Sequence, residues 1–459
     1  MNVSNLGDNL HRGVKIAVDS GEATSIAEAE RLFAKYRLMI IVGPDVATSP
    51  TLQAALLTAV NTARRCCLGG VYVSGKLDAD LLLPWKHCRT MGEAIIDLQG
   101  HIVNAPLPEV PRLIIGDVRE AQGIGDFVVQ ATFNGWSGGI IPLGETRRLS
   151  EQQEFIPAGV LAGALGVSET FQFLRGNILA GRRDVGLSLW QPEPKISWLS
   201  AEPGPVLELL PSRLWVIGLG HLGQAYLWLL GLLPYANPKD VQLVLQDYDT
   251  LVRANDSTSL LTNVSLLDQK KTRAMAQWCE DRGFSTAIQE RYFSDNFTVS
   301  PDEPQVALCG VDNMAARSAL EGVGFKRIIE AGLGRGPRGF LTFRTHSFPA
   351  SRSSQAIWSG DEQASTADDL TGHPAYQALL AKGLDECGLT LLADRTVGAP
   401  FVGAVTAAIV ISDLLRMVIG EHRYEVIDGD LGSLAHREVV RSDQDWAPFN
   451  VGYTQARRN

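Results

Sequence analysis

One pattern occurs twice in this chain of 459 residues and constrains its fold more than any other feature. A β-type apolar run enters a turn and continues as a helical pattern, first in "YRLMIIVGPDVATSPTLQAALLTAV" from Tyr36 and again in "SRLWVIGLGHLGQAYLWLLGLL" from Ser212. Each half also closes with a similar small-residue helix pattern, ending at Gly176 and at Gly420. Alternating strand and helix patterns indicate α/β units with parallel sheets. The sequence therefore predicts an α/β fold of two tandem Rossmann-like units that arose by duplication.

A proline-rich stretch at residues 190–212, "WQPEPKISWLSAEPGPVLELLPS", separates the two halves. Proline density of this kind is typical of linkers between domains. We therefore place one domain at 1–195 and a second at 196–459. The second half is longer because it contains a polar, Ser-, Gly- and Asp-rich segment at about 345–398. Such a segment inside a compact domain is expected to be either disordered or a functional crossover loop.

The composition narrows the class of partner. With 45% hydrophobic and 20% charged residues, the chain is expected to be a soluble globular protein with a large core. The formal net charge of -10 argues against nucleic acid as the main partner. Small molecules or other proteins fit this charge better.

The six cysteines form no C-x-x-C pair, so neither a disulfide framework nor a thiolate zinc site is predicted. A reducing cytoplasm is the expected location. No apolar run has the length of a signal peptide at the N-terminus or of a membrane span elsewhere, so the apolar helices are predicted to be buried and no membrane partner is expected.

The second half contains a glycine turn between a strand and a helix. Gly218, Gly220 and Gly223 have G-x-G-x-x-G spacing in "VIGLGHLG". Such a turn lets a phosphate approach the backbone, and the helix N-terminus supplies free N–H groups. A second strand pattern ends in Asp247, at the distance where an acidic residue meets a ribose hydroxyl. A nucleotide site is therefore predicted.

The chain then continues as "QDYDTLVRANDSTS", "LLDQKKTRAMAQW" and "VALCGVDNMAARSAL". The residues that matter in these stretches are Asp247, Asp249, Asn255, Lys271, Asp312, Asn313 and Arg317. In this order and spacing they resemble the adenylating domain of the ubiquitin-activating enzyme family, which includes the ThiF and MoeB sulfur-carrier activators. The likeness covers residues 200 to 430 and, more loosely, 12 to 180.

The resemblance implies an adenylation site that uses ATP and Mg²⁺. Asp247 would hold the ATP ribose, Lys271 would neutralise phosphate charge, Asn255 would position the triphosphate, and Asp312 would be the magnesium ligand at the α-phosphate. Cations and a metal are needed because attack by a carboxylate on the α-phosphate brings anions together. The glycines, together with Asp249 and Asn313, complete the implied nucleotide-binding set.

Two features depart from a simple active adenylation domain. The family has an arginine three residues after the Asn, where this chain has Thr258. The first half keeps Gly43 but lacks the later glycines and the acidic pair, so it resembles the inactive adenylation half of larger activating enzymes. In such enzymes an arginine near the start of one half reaches the ATP site of the other, and Arg12, ahead of the first predicted helix, is the residue that would do so.

Cys387 lies in the polar segment, 16 residues before Gly403 of the closing helix pattern. In relatives that pass on a ubiquitin-like protein, the catalytic thiol occupies a crossover loop at this place in the order. The resemblance therefore implies a thioester on Cys387, formed from the adenylate and handed to a conjugating enzyme. A compact chain without zinc cysteines also resembles the activators of bacterial Bil-type ubiquitin-like conjugation operons, which are associated with antiviral defence.

Three alternatives remain at this stage. A sulfur-carrier activator that only adenylates needs no Cys387. An NAD-dependent oxidoreductase explains the glycine turn and Asp247 but leaves Asn255, Lys271 and Asp312 without a role. A non-catalytic scaffold explains Thr258 and the first half. The two halves are expected to form a pseudo-symmetric monomer or to occur in a homodimer.

Overall fold

The structure is a computed structural model, and it describes residues 6–118, 126–144, 147–359, 371–381, 386–443 and 452–457. Within these ranges the side chains of Glu386, Cys387 and Leu391 are not described. The chain is a mixed α/β protein with parallel-strand sheets, as the alternating patterns predict.

The strands form two large sheets and a small one. In chain order they are β1 Leu38–Val42, β2 Val71–Gly75, β3 His101–Ile102, β4 Arg112–Ile115, β5 Val128–Asn134, β6 Ser137–Pro142, β7 Val185–Ser188, β8 Leu209–Pro211, β9 Arg213–Ile217, β10 Gln242–Gln246, β11 Ser285–Gln289, β12 Val306–Cys309, β13 Arg327–Leu333, β14 Thr342–Phe348, β15 Tyr424–Asp430, β16 Glu438–Arg441 and β17 Tyr453–Gln455.

The helices are α1 Leu6–Asn9, α2 Arg12–Asp19, α3 Ile26–Phe33, α4 Pro50–Ala63, α5 Met91–Asp97, α6 Ile156–Leu174, α7 His221–Leu232, α8 Lys271–Glu280, α9 Met314–Ser318, α10 Gly336–Gly339, α11 Ser354–Trp358, α12 Pro374–Ala381, α13 Glu386–Asp394 and α14 Pro400–Val418. Short 3₁₀ turns occur at Pro44–Thr48, Pro238–Asp240, Arg253–Ser257, Val264–Leu266, Leu320–Val323 and Leu434–His436.

The two large sheets have the same strand order. The first runs β3-β2-β1-β4-β5-β6-β7, and the second runs β11-β10-β9-β12-β13-β14-β15-β16. Neighbours are parallel from β3 to β5 and from β11 to β13, and antiparallel beyond those strands. Strands β8 and β17 form a separate antiparallel pair. The carboxyl ends of the central parallel strands therefore meet at one edge of each sheet, where ligands bind in open α/β sheets.

The small residues of the long closing helices allow close packing. In α6, an added Cβ at Gly159 would lie 2.1 Å from the Thr51 carbonyl oxygen, and one at Gly163 would lie 2.2 Å from that of Ala55. Glycine is therefore required where α6 crosses α4. Helix α14 is long and apolar enough to cross a membrane, but 94% of its apolar window is buried inside the protein, as expected of a core helix.

The first half supports a segment of the second half through the end of helix α4. Arg65 is fully buried, and its guanidinium donates to the carbonyl oxygens of Ser259, Leu260 and Thr262 at 2.8 to 3.2 Å. Arg64, beside it, forms an ion pair with Asp256 at 2.8 Å. Because these acceptors lie in or just after the Arg253–Ser257 turn, the first half fixes that part of the second half.

Candidate functional site

The glycine turn joins β9 to α7 and leaves space above the helix N-terminus. Gly218 has a φ of 82°, a left-handed conformation that favours glycine. A Cβ at Gly223 would lie 1.9 Å from the Gly218 carbonyl oxygen, so only glycine fits there. A Cβ at Gly220, in contrast, would meet no atom within 4 Å. The turn is therefore closely packed beneath and open where an anion would approach the first turn of α7.

Asp247 links this turn to the end of β10. Its carboxylate accepts hydrogen bonds from the backbone N–H of Leu219, at 2.6 Å, and of Asp249, at 2.8 Å. A carboxylate has about four acceptor positions, so two remain for the hydroxyls of a ribose. The contact to Leu219 places this carboxylate beside the turn.

Lys271 brings a cation to the same strand end. It is the first residue of α8, it is buried, and its ammonium lies 2.8 Å from Asp249 Oδ2 and 3.9 Å from Asp247 Oδ1. Asp249 is more than half exposed, so its pair with Lys271 opens to solvent. The structure thus brings Asp247, Asp249 and Lys271 together with the glycine turn.

Asp312 and Asn313 follow β12, the strand on the other side of β9. A Cβ at Gly218 would lie 2.9 Å from the Val311 side chain, which shows that the two strand ends adjoin. The Asp312 side chain is exposed, and its backbone oxygen accepts a hydrogen bond from Arg335 at 3.2 Å. The Asn313 side chain caps helix α9 by accepting from Ala316 N at 3.0 Å.

Arg317 has a local structural role. Its Nε donates to the Val311 carbonyl oxygen at 2.8 Å, and its guanidinium lies 3.2 Å from the fully buried Glu330 carboxylate. Glu330 also contacts His346 Nδ1 at 2.8 Å. The arginine therefore fixes the backbone just before Asp312. Arg335 and Glu330 were not identified from the sequence, because neither belongs to a recognisable pattern.

Asn255 lies in the Arg253–Ser257 turn, where its side-chain oxygen accepts from Val252 N at 2.9 Å. Its amide nitrogen makes no hydrogen bond within the described ranges, so this donor is available to a ligand. Thr258, which occupies the position of the family's arginine, is buried. A Cβ at Gly398, just before α14, would lie 3.3 Å from its methyl group.

His221, inside the glycine turn, packs against the closing helix α14. A Cβ at Gly403 of α14 would lie 2.5 Å from the His221 ring, so the closing helix needs glycine there. Burial lowers the pKa of His221 to about 4. The ring is therefore neutral near pH 7, which is consistent with a structural role.

The segment that carries Arg12 lies against the second half. Arg12 is the first residue of α2, and its backbone N–H donates to Ser257 Oγ at 3.1 Å, in the turn that holds Asn255. Its Nη1 atom is buried and makes no hydrogen bond within the described part of the chain. Burial, with the nearby Arg395 charge, lowers the pKa of Arg12 to about 10. The arginine is charged at neutral pH and lies beside the Asn255 turn, although it comes from the N-terminal segment.

Helix α2 also contacts α12 and α13, the helix that contains Cys387. Lys15 and Asp19 form a buried ion pair at 2.5 Å, and Tyr376 of α12 donates to Asp19 at 2.6 Å. The Lys15 ammonium reaches the carbonyl oxygen of Ala393 in α13 at 3.3 Å. Cys387 is the second residue of α13, and its side chain lies outside the described part of the structure.

The corresponding strand end in the first half is filled by a side chain. Strand β1 also ends one residue before a glycine, Gly43, and Asp45 then points back at the turn. Its carboxylate accepts from Asp117 N at 2.7 Å and from Arg148 at 2.8 Å. A Cβ at Gly116 would lie 2.3 Å from the same carboxylate. An internal anion therefore occupies the place that is open in the second half.

The residues of the second half fit a magnesium-bound triphosphate. Within the described ranges no group of three or more His, Cys, Asp or Glu side chains could hold a metal alone. Mg²⁺ commonly uses one or two carboxylates together with substrate phosphates. An exposed Asp312 beside an open glycine turn, with Lys271 on the other side of that turn at the end of β10, agrees with such an arrangement.

Comparison with known proteins identifies the family. A model described as the BilD N-terminal domain matches residues 37–189, and one described as the BilD C-terminal domain matches residues 210–421. The Bacterial E1-like protein BilD of Collimonas sp. (strain OK412) is 44% identical over 459 residues, covering 99% of this chain and 98% of the relative. These matches make the chain an E1-like protein. Within that class, it belongs to the BilD family, which confirms the resemblance to activating enzymes of the Bil type.

Two solved structures also match over part of the chain. Selenomethionine PaaA is 13% identical, with a TM-score of 0.32 over 50% of this chain and 64% of PaaA. The E. coli tRNA N6-threonylcarbamoyladenosine dehydratase TcdA is 12% identical, with a TM-score of 0.29 over 45% of this chain and 86% of TcdA. The family assignment depends on the sequence matches alone.

Proposed function

We propose that this protein activates a ubiquitin-like protein: its second half adenylates the partner's C-terminal carboxylate with ATP, and Cys387 then takes the acyl group as a thioester. The observation that carries the proposal is the contact series from Leu219 N through the Asp247 carboxylate to Lys271. It joins an open glycine turn, a ribose acceptor and a phosphate-neutralising cation at adjacent strand ends.

In the first step, a carboxylate oxygen of the partner's terminal residue attacks the α-phosphorus of ATP and pyrophosphate leaves. Lys271, and Arg12 from the N-terminal segment, would offset the charge of the meeting anions. The free amide N–H of Asn255 would bind a phosphate oxygen, and Asp247 would hold the ribose. Asp312 would hold Mg²⁺, which neutralises phosphate charge when bound.

In the second step, the Cys387 thiolate attacks the acyl carbon of the adenylate and AMP leaves, giving a thioester. The thiolate form of Cys387 would be favoured by a nearby cation or by a helix N-terminus. Arg395, eight residues further along the chain, is one such cation, and it forms an ion pair with Asp8 at 3.0 Å. A conjugating enzyme would receive the acyl group on its own thiol.

In this proposal the two sheets are tandem adenylation-type units, and the first is a pseudo-domain. Asp45 fills the place at the end of β1, and Arg65 donates a hydrogen bond to the segment after Asn255. The segment at about 345–398 would be the crossover that carries the cysteine. We also place the protein in the cytoplasm, in a Bil-type conjugation pathway linked to antiviral defence.

The test is ATP–pyrophosphate exchange with candidate ubiquitin-like proteins, followed by reducing and non-reducing gels. The native chain, Cys387→Ala and a control, Cys88→Ala, are compared, since Cys88 is partly exposed but far from α13 in sequence. Exchange is expected in all three. A thiol-sensitive adduct is expected with the native chain and Cys88→Ala and should be absent in Cys387→Ala.

The outcomes separate the alternatives. Exchange without an adduct in the native chain would make this an adenylate-only activator of the sulfur-carrier type. Nucleotide binding without exchange for any partner would favour a non-catalytic scaffold, and preference for NAD over ATP would favour an oxidoreductase.

A further inference from the structure

Two tyrosines form an exposed stacked pair beside the nucleotide site. The rings of Tyr248 and Tyr292 have centroids 4.5 Å apart and planes inclined by 26°. Tyr248 is 47% exposed and Tyr292 is 70% exposed. Single exposed aromatic residues are common on protein surfaces, but a stacked pair that is open to solvent at a strand end leaves a flat apolar face without a partner.

The position of the pair follows from the sheet. Tyr248 is the second residue after β10, between Asp247 and Asp249, and Tyr292 is the third residue after β11. These strands are parallel neighbours, with Gln246 opposite Gln289. Both tyrosines therefore emerge at the carboxyl edge of the sheet, where the glycine turn also lies.

Hydrogen bonds tie the Tyr292 segment to the strand that ends in Asp247. Asp247 N donates to the Gln289 carbonyl oxygen at 3.3 Å. The buried Gln246 side chain lies 3.4 Å from the Tyr292 carbonyl oxygen and accepts from Trp215 Nε1 at 2.9 Å. The Tyr248–Tyr292 pair is thus attached to the core through Gln246, the residue that precedes Asp247.

Tyr248 already has two partners against its ring. Tyr292 stacks on it, and the Lys270 ammonium lies 4.4 Å from its centroid while donating to its carbonyl oxygen at 2.6 Å. Within the described ranges no other ring or cation lies against Tyr292. The outer face of Tyr292 is therefore the free surface of the pair.

The strand order predicts what covers this face. Phosphates at the glycine turn lie at the end of β9, and a ribose at Asp247 lies at the end of β10. A nucleotide bound across these two points continues toward the end of β11, and its base is the next group in that direction. Aromatic side chains bind bases by stacking, because every base has a flat π face.

We propose that Tyr248 and Tyr292 form the base-stacking platform of the nucleotide site, with the purine ring of ATP on the outer face of Tyr292. This inference rests on the nucleotide site proposed above. It assigns base recognition to residues outside the glycine and acidic motifs. Tyr292 makes the contact, and Tyr248 is a positioning residue that supports its ring.

Calorimetric binding of ATP and of inorganic tripolyphosphate to the full chain tests the platform, using the native protein, Tyr292→Ala and Tyr292→Phe. Loss of one stacked ring weakens a base by roughly 5- to 150-fold. We expect Tyr292→Ala to weaken ATP within that range and to leave tripolyphosphate unchanged, while Tyr292→Phe keeps the native ratio of the two affinities. Photolabelling with 2-azido-ATP should mark Tyr292 in the native chain.

The results distinguish the two proposals. If the native chain binds ATP and Tyr292→Ala leaves both affinities unchanged, the platform is wrong and the nucleotide site stands. If Tyr292→Ala instead weakens ATP and tripolyphosphate equally, the platform is also wrong, since the loss would show a general disturbance of the site. If the native chain binds no ATP, the nucleotide site and the platform both fail.

Discussion

The turns that follow the first strand of each large sheet differ: Gly43 has a φ of -77° and leads into a 3₁₀ turn, whereas Gly218 has a φ of 82° and is followed by open space at Gly220. Strands β1 and β9 are each five residues long and end one residue before a glycine. Two positions later the second half has Gly220, with no atom within 4 Å of an added Cβ, whereas the first half has Asp45. The Asp45 carboxylate accepts one hydrogen bond from the Asp117 backbone N–H and one from Arg148.

Under the proposed function, this difference would let the first half lack a ligand without losing its structure. The Asp45 carboxylate is a negative charge that belongs to the chain itself, at the place where a bound phosphate would bring one. The strand order, the close helix packing and the buried core remain. The first half also contributes Arg65, which donates hydrogen bonds to the segment that follows Asn255 in the second half.

Placing a carboxylate in the glycine turn of the second half, as the first half has at Asp45, should have the largest effect. Gly220→Asp places a carboxylate at the position that corresponds to Asp45. The space is available, so the fold should tolerate the change, but like charges brought together cost several kcal/mol. We expect ATP affinity to fall by more than roughly 1,000-fold, measured by calorimetry.

Gly220→Ala is the matched control and should keep most of the affinity, since it adds volume without charge. If Gly220→Asp bound ATP like the native chain, phosphate binding at this turn would be refuted.

The scaffold role of the first half predicts a loss of stability on removing Arg65. Arg65→Met takes donors from several buried carbonyl oxygens and should lower the free energy of unfolding by about 3 kcal/mol. Urea unfolding followed by tryptophan fluorescence measures it. Arg64→Met, which removes a more accessible ion pair, should cost about 1 kcal/mol. Equal small losses for both variants would contradict a bracing role for Arg65.

The halves should also differ in their response to acid. At the position of His221 the first half has a buried valine, Val46. Since burial lowers the folded-state pKa of His221 to about 4, the unfolded chain binds more protons between pH 4 and 6.5. Stability is therefore lost as the pH falls through this window, by about 2 kcal/mol for this group at pH 5.

Urea unfolding of the native chain and His221→Leu at pH 7.5 and pH 5 checks this expectation. The variant should lose less stability on acidification than the native chain does. His101→Leu, at an exposed position on β3, should leave the pH dependence unchanged. An unchanged pH dependence in His221→Leu would show that the ring does not resist protonation.

The smallest effect is expected from removing the Asp45 carboxylate from the turn of the first half. Asp45→Ala removes one hydrogen bond to Asp117 N and one to Arg148 from a partly exposed carboxylate. A loss of about 1 kcal/mol in unfolding free energy is expected. Because the described residues of the first half include no counterpart of Lys271 in contact with an acidic pair, ATP affinity should not change. An added nucleotide site in this variant would show that Asp45 alone keeps the first half empty.

The sequence predicted the parts of this comparison that depend on short stretches of chain. The glycine spacing, the strand ending in Asp247 and the position of Lys271 at the start of a helix are local signals, and the structure brings these residues together. Their roles in binding remain predictions. Cys387 also remains a prediction, because its side chain lies outside the described residues.

Other features could not be predicted because they depend on residues far apart in the chain. Asp45 meets Arg148 only after the first sheet has formed, and Arg65 meets Thr262 only after the halves have packed. The contact of Arg12 with Ser257 joins residues 245 positions apart. Tyr248 and Tyr292 lie at neighbouring strand ends, and neither resembles a motif on its own.

The stoichiometry of ATP binding to the full chain tests the central claim most directly. Calorimetry with the native protein, Lys271→Ala and Asp45→Ala should give one site per chain, lost in Lys271→Ala and kept in Asp45→Ala. Two sites in the native chain, or one that survives Lys271→Ala, would contradict the proposal that only the second half has a nucleotide site.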